Sequence, residues 1–164
     1  MDFNLSREHQ LVRKMMAEFT ENEVKPIAAE IDKNHRFPSE SIPKMAELGM
    51  FGLNTSEDLE GAGGDYLSYI LAVEELAKYD AGVSITLSAT VSLCANPIWQ
   101  FGTEEQKEKF LVPLVEGTKL GAFGLTEPNA GTDASGQQTV AVKNDERHVH
   151  PERLQDFHHQ RRPC

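Results

Sequence analysis

Cysteine is scarce, basic residues are outnumbered, and no apolar run reaches bilayer length; each shortage excludes something. The two cysteines, Cys94 inside an apolar run and Cys164 at the end, give neither a disulfide framework nor metal-ligand spacing, so a reducing cytoplasmic setting is expected. The 16 Lys and Arg against 26 Asp and Glu leave a net charge of −10, which argues against nucleic acid or an anionic membrane surface as partner, because both need clustered cations. No stretch reads as long enough to span a membrane, and Met1-Asp2-Phe3-Asn4 opens no leader of the charged-then-apolar kind. What is present, 164 residues with 39% hydrophobic content, suffices for a modest core.

Along the chain the first half is helical in period. Ser6 can cap a helix whose apolar positions are Leu11, Met15 and Phe19 and, after a slip, Val24, Ile27 and Ile31, with Pro26 expected to kink it or end its first part. Pro38 and Ser39 signal a second helix, striped by Ile42, Met45 and Leu48 and stopped by Gly49. Phe51 to Gly64 reads as a loop whose acids, Glu57, Asp58 and Glu60, form a solvated face. Leu67 to Ala77 predicts a buried helix. Val83 to Ala95 is either a core helix or a buried strand by pattern, its length favours helix, and Asn96-Pro97 punctuates it. Thr103-Glu104-Glu105-Gln106 is a capping box, followed by an apolar side of Phe110, Leu111, Leu114 and Val115 and by Gly117 as terminator.

From Leu120 to Gly136 the sequence changes character. Phe123 and Leu125 sit two apart, as on one side of an extended segment, and the small Gly121, Ala122 and Gly124 would let a flat ligand approach the backbone. Glu127-Pro128-Asn129 breaks that segment, and Asn129 and Gly131 favour a tight turn with amides left over for an anion or a polar ring edge. Gln138 to Lys143 then alternates as a half-buried strand. Taken alone, this is a turn between two strands. The run Gly124-Leu125-Thr126-Glu127-Pro128-Asn129-Ala130-Gly131-Thr132-Asp133-Ala134-Ser135-Gly136, however, resembles the first signature of the acyl-CoA dehydrogenases, nearest to bacterial short-chain (butyryl-CoA) members, and the likeness extends from Met1 to about Asp145.

The resemblance implies a mainly α fold: an N-terminal helical bundle over residues 1–118, then residues 119–145 as the start of a β-barrel-like flavin and substrate domain. It also implies FAD as cofactor. Phe123, Leu125 and Thr126 would line or hydrogen-bond the flavin, and Gly131 and Thr132 would serve the FAD pyrophosphate and the pantetheine side of an acyl-CoA substrate. Ser88, Thr90 and Leu93 would face the acyl chain. In such enzymes, which act in fatty acid β-oxidation, a glutamate removes the α proton while the β hydrogen leaves as hydride to the flavin, and electrons pass to an electron-transfer flavoprotein. That glutamate belongs to the family's C-terminal helical domain, so no catalytic residue and no metal ligand is assigned here, and Glu127 is not the base. Family members are homo-oligomers. They carry Pro and Tyr-Gly-Gly where this chain has Asn54-Thr55-Ser56 and Leu59-Glu60-Gly61, and Ser where Thr132 stands.

Residues 146–164 follow no strand or helix period and crowd His148, His150, His158 and His159, which reads as an unstructured tail rather than a metal site. With suitable third bases, reading the codons of this tail from the second base gives Asn-Gly-Thr-Tyr-Thr-Leu-Asn-Gly-Ser-Lys-Ile-Phe-Ile-Thr-Asn-Gly-Gly-Leu. This is the continuation expected of an acyl-CoA dehydrogenase β domain, so the tail is read as frameshifted.

Overall fold

Ser6 holds extended backbone and its hydroxyl accepts the His9 amide, starting α1 (Arg7–Phe19) as a side-chain cap should. A π-turn over Thr20–Val24 joins α1 to α2 (Lys25–Asn34), which ends at His35 in the left-handed region. Then come α3 (Ser41–Glu47), α4 (Tyr66–Ala77) and α5 (Ala81–Ser88). A second π-turn over Ala89–Ala95 leads into α6 (Asn96–Phe101). The short α7 (Glu104–Gln106) passes through a third π-turn, Lys107–Leu111, into α8 (Val112–Val115). The computed structural model describes residues 4–143 and 149–151. They fall into two compact units, Met1–Gly121 and Ala122–Cys164.

The three π-turns share a cause. Pro26, Pro97 and Pro113 each lie two residues beyond one, and the residue before each proline donates five positions back: Lys25 to the Thr20 carbonyl, Asn96 to Val91, Val112 to Lys107. Proline has no N–H to give and its ring collides with the carbonyl four residues earlier. The wider turn relieves that collision without ending the helix. Pro97 therefore does not stop the helix that contains it. Residues Ala81–Phe101 run as one helix of 21 residues, and this corrects the expectation about bilayer length: by length and composition the helix could cross a membrane, although 44% of its apolar 18-residue window is buried.

In the first unit, α4 packs on α1 and on α5. The core joins Met16, Phe19, Val24, Met45, Phe51, Tyr69, Leu76, Val83, Leu87 and Val91, and a smaller cluster gathers Ala95, Leu111, Leu114 and Val115. Burying one such large side chain contributes about 1.5–3 kcal/mol. Leu11, Leu48 and Phe110, assigned to apolar stripes by spacing, are exposed instead. The stretch Phe51 to Gly64 is only half a surface loop: Met50–Gly52 form a 3-10 turn and residues 50–55 are buried, while Glu57, Asp58 and Glu60 face solvent. The capping box at Thr103 forms in both directions, Gln106 Oε1 accepting the Thr103 amide and Thr103 Oγ1 accepting the Gln106 amide. Helix α3 begins at Ser41, two residues later than Pro38-Ser39 indicated, and Gly49 (φ +65°) and Gly117 (φ +71°) close α3 and α8.

The second unit holds little regular structure among its described residues. Strand β1 is Ala141–Lys143, shorter than the Gln138 to Lys143 expected, because the amides of Gln138 and Thr139 bond a side chain rather than a ladder. It pairs antiparallel with β2, Val149–Pro151, in the register Ala141 with Pro151, Val142 with His150 and Lys143 with Val149. The tail read as unstructured thus contains one three-residue strand, whose main chain finds ladder partners in β1. The remainder of that tail lies outside the described residues.

Candidate functional site

The signature stretch is an open loop built around one tight turn. Glu127 and Ala130 exchange both main-chain hydrogen bonds, at 3.2 and 3.0 Å, across Pro128-Asn129. Proline's fixed φ and asparagine's tolerance of turn geometry account for the reversal. Gly131 follows the turn instead of forming it and has no positive φ, which corrects the role its residue type indicated. A Cβ placed on Gly131 would meet nothing within 4 Å, so its backbone is approachable. A second small turn follows: the Gly136 amide donates to the Asp133 carbonyl at 3.1 Å, and Ser135 Oγ donates to Asp133 Oδ1 at 2.8 Å.

The five residues assigned to a cofactor all lie on this loop. Phe123 and Thr126 are half-buried, and Leu125, Gly131 and Thr132 are exposed. Among the described residues no hydrogen bond engages the hydroxyls of Thr126 and Thr132 or the amides of Gly131 and Thr132. Free hydroxyls and amides beside an apolar Phe123 and Leu125 form a donor set suited to a ring with polar edges or to a phosphate, so the residues present fit FAD.

The three residues assigned to an acyl chain lie in the first unit, on the helix that contains α5 and α6. Ser88 is half-buried and its hydroxyl accepts from the Tyr69 hydroxyl at 3.1 Å; Leu93 is half-buried. Thr90 is fully covered, and among the described residues its hydroxyl has no hydrogen-bond partner. This helix and the signature loop are thus two separate sets, one in each unit.

Three features escaped the sequence reading. Gly121 is small because Cys94 needs the space: a Cβ there would lie 2.5 Å from Cys94 Cβ and 2.7 Å from its Sγ. That corrects the expectation that Gly121 clears a path for a ligand. Tyr69, which orients Ser88, sits 19 residues away from it, beyond the reach of any local pattern. Glu127, present in the signature as a bystander to catalysis, is buried and receives two main-chain amides. Its place beside Pro128 indicated only a turn.

Comparison with known proteins bears on the family. Residues 6–118 match the family model described as acyl-CoA dehydrogenase, N-terminal domain. A short-chain specific acyl-CoA dehydrogenase of Megasphaera elsdenii is 65% identical over 149 residues, covering 89% of this chain and 39% of that protein. Its counterpart in Clostridium acetobutylicum is 60% identical over 149 residues, with 91% and 39% covered. Among solved structures, butyryl-CoA dehydrogenase from Megasphaera elsdenii superposes with a TM-score of 0.84 at 63% identity, covering 92% of this chain and 40% of that one. An Acidaminococcus fermentans structure described as an electron transferring flavoprotein gives 0.84 at 57% identity, with 88% and 38% covered. The chain spans about two fifths of the length of these relatives. On the family model and these likenesses, the chain belongs to the acyl-CoA dehydrogenase family.

Proposed function

We propose that this chain supplies the N-terminal bundle and the flavin-side loop of an FAD-dependent short-chain acyl-CoA dehydrogenase, and that alone it does not turn over. The observation that carries this reading is the signature loop, where hydroxyls and amides at Thr126, Gly131 and Thr132 that are unengaged among the described residues stand beside Phe123 and Leu125. When bound, FAD supplies the acceptor for the hydride leaving the β carbon of an acyl-CoA. Phe123 and Leu125 would cover the ring and keep water from it. Thr126 would donate a hydrogen bond to its polar edge, and Gly131 and Thr132 would donate to phosphate or pantetheine oxygens. Ser88, oriented by Tyr69, and Leu93 would contact a short acyl chain. An electron-transfer flavoprotein as the electron acceptor, assembly into homo-oligomers and a cytoplasmic setting complete the proposal.

One observation favours a second reading, a non-catalytic helical module for binding or assembly: Ile85, Phe101 and Phe110 expose large apolar surface, Phe101 at 83%. A product without function is the remaining possibility. Titrating the purified chain with FAD separates these readings. The expected result is a saturable change in flavin fluorescence with an affinity too weak to survive gel filtration. A flavin signal that does not change at all would overturn the proposal.

A further inference from the structure

Glu127 is buried, 5% exposed, yet it is not shielded from polar groups. Its Oε2 accepts the Gln138 amide at 2.8 Å and its Oε1 accepts the Thr139 amide at 2.9 Å, from residues 11 and 12 positions further along the chain. Its own main chain is held by the reciprocal pair with Ala130. Beside it, the Gln137 side-chain amide donates to the Leu125 carbonyl. One carboxylate therefore closes the neck of the loop that carries Gly131 and Thr132, and it does so next to Thr126.

The chemistry of this contact admits few substitutes. Two consecutive amides pointing the same way need two acceptor atoms a carboxylate's width apart, and an ionised acceptor makes the stronger bonds. Glutamine would oppose its own NH2 to one of the amides. Aspartate is one methylene short, and alanine would take the acceptor away from two partly buried donors.

We propose that Glu127 is a positioning residue: its carboxylate latches the loop from Glu127 to Thr139 and thereby holds Thr126, Gly131 and Thr132 in the arrangement that FAD uses. The flavin half of this statement rests on the function proposed above; the latch does not. The test uses the full chain as wild type, Glu127→Gln and Glu127→Asp, with amide hydrogen exchange by NMR and FAD titration on each. In both variants the Gln138 and Thr139 amides should exchange about 10- to 100-fold faster, while α1 and α4 amides keep their protection. The dissociation constant for FAD should rise about tenfold in both, the same order as loss of one such bond. A charge effect on the ligand would spare Glu127→Asp, so a normal affinity in that variant refutes the positioning role. Unchanged exchange at Gln138 and Thr139 refutes the latch. Faster exchange with unchanged FAD affinity leaves the latch and refutes its bearing on flavin. If wild type binds no FAD, the proposed function and the flavin half fail together, and exchange still decides the latch. If both variants unfold, the unaltered chain decides the latch: a through-hydrogen-bond coupling between those two amides and the Glu127 carboxyl carbon is expected, and its absence overturns it.

Discussion

Gly49 and Gly117 form a matched pair that separates backbone strain from core overpacking. Both sit in the left-handed region, at φ +65° and +71°. A Cβ on Gly49 would meet nothing within 4 Å, whereas one on Gly117 would lie 2.6 Å from Ala46 Cβ and 2.7 Å from Cδ2 of Phe51, a side chain 1% exposed. Holding alanine in the left-handed region costs about 1–2 kcal/mol, of which about 0.4–1 is offset by the stiffer unfolded chain. Gly49→Ala should therefore lose about 1 kcal/mol. Gly117→Ala carries the same strain, and inserting a methyl against Phe51 adds about 1–3 kcal/mol, for a total of about 2–4. Urea unfolding followed by far-UV circular dichroism reads both. Equal losses would refute the argument, because they would mean that Phe51 and Ala46 give way freely and that the core near α8 is not tightly packed.

Further expectations concern ligand, acid and gene. If the chain binds FAD, Thr132→Ala should weaken it by about 0.5–1.5 kcal/mol, the worth of one ordinary hydrogen bond; a titration showing equal affinity would remove Thr132 from the site. Burial pushes the Glu75 carboxyl up, but hydrogen bonds from Lys78 and Arg13 outweigh it and hold the group below its ordinary range. A carboxylate lowered in this way stabilises the fold above its unfolded pKa of about 4.3, and that contribution fades as pH falls further. Urea midpoints should accordingly drop more steeply below that pH in wild type than in Glu75→Gln, and parallel curves would exclude the linkage. Sequencing the gene tests the frameshift: deleting one base near the Asp145 and Glu146 codons should open a frame encoding Asn-Gly-Ser-Lys-Ile-Phe-Ile-Thr-Asn-Gly, and a gene without that frame rules it out.

Much of the bundle could be read from spacing because its determinants are local. The Ser6 cap, the Thr103 box and the Gly117 terminator each act within one turn of helix, and all three form. Period alone could not tell which apolar residues meet a neighbour. Leu11 and Phe110 fall on the right stripe and still face solvent, because no other described element of the first unit covers them. The loop's sequence indicated a turn and, through its likeness to a family, a ligand. It could not show the bond from Glu127 to Gln138 and Thr139, which joins groups 11 and 12 residues apart. Nor could it show that Cys94 occupies the space beside Gly121.

The slip in the first apolar stripe has a structural counterpart. Phe19 and Val24 are five apart where four is the rule, and the Thr20–Val24 turn fills that gap. Seen this way, each wide turn is an extra residue absorbed as a bulge, with the helices on either side left in phase. Helix length is then adjustable one residue at a time at three points without rotating α2, α6 or α8 away from the faces they bury. Removing one residue between Thr20 and Val24, together with Pro26→Ala, should leave an unbroken helix with Phe19 and Ile31 still facing the core. The same deletion in the middle of α4 would turn every later side chain by about a quarter of a circle.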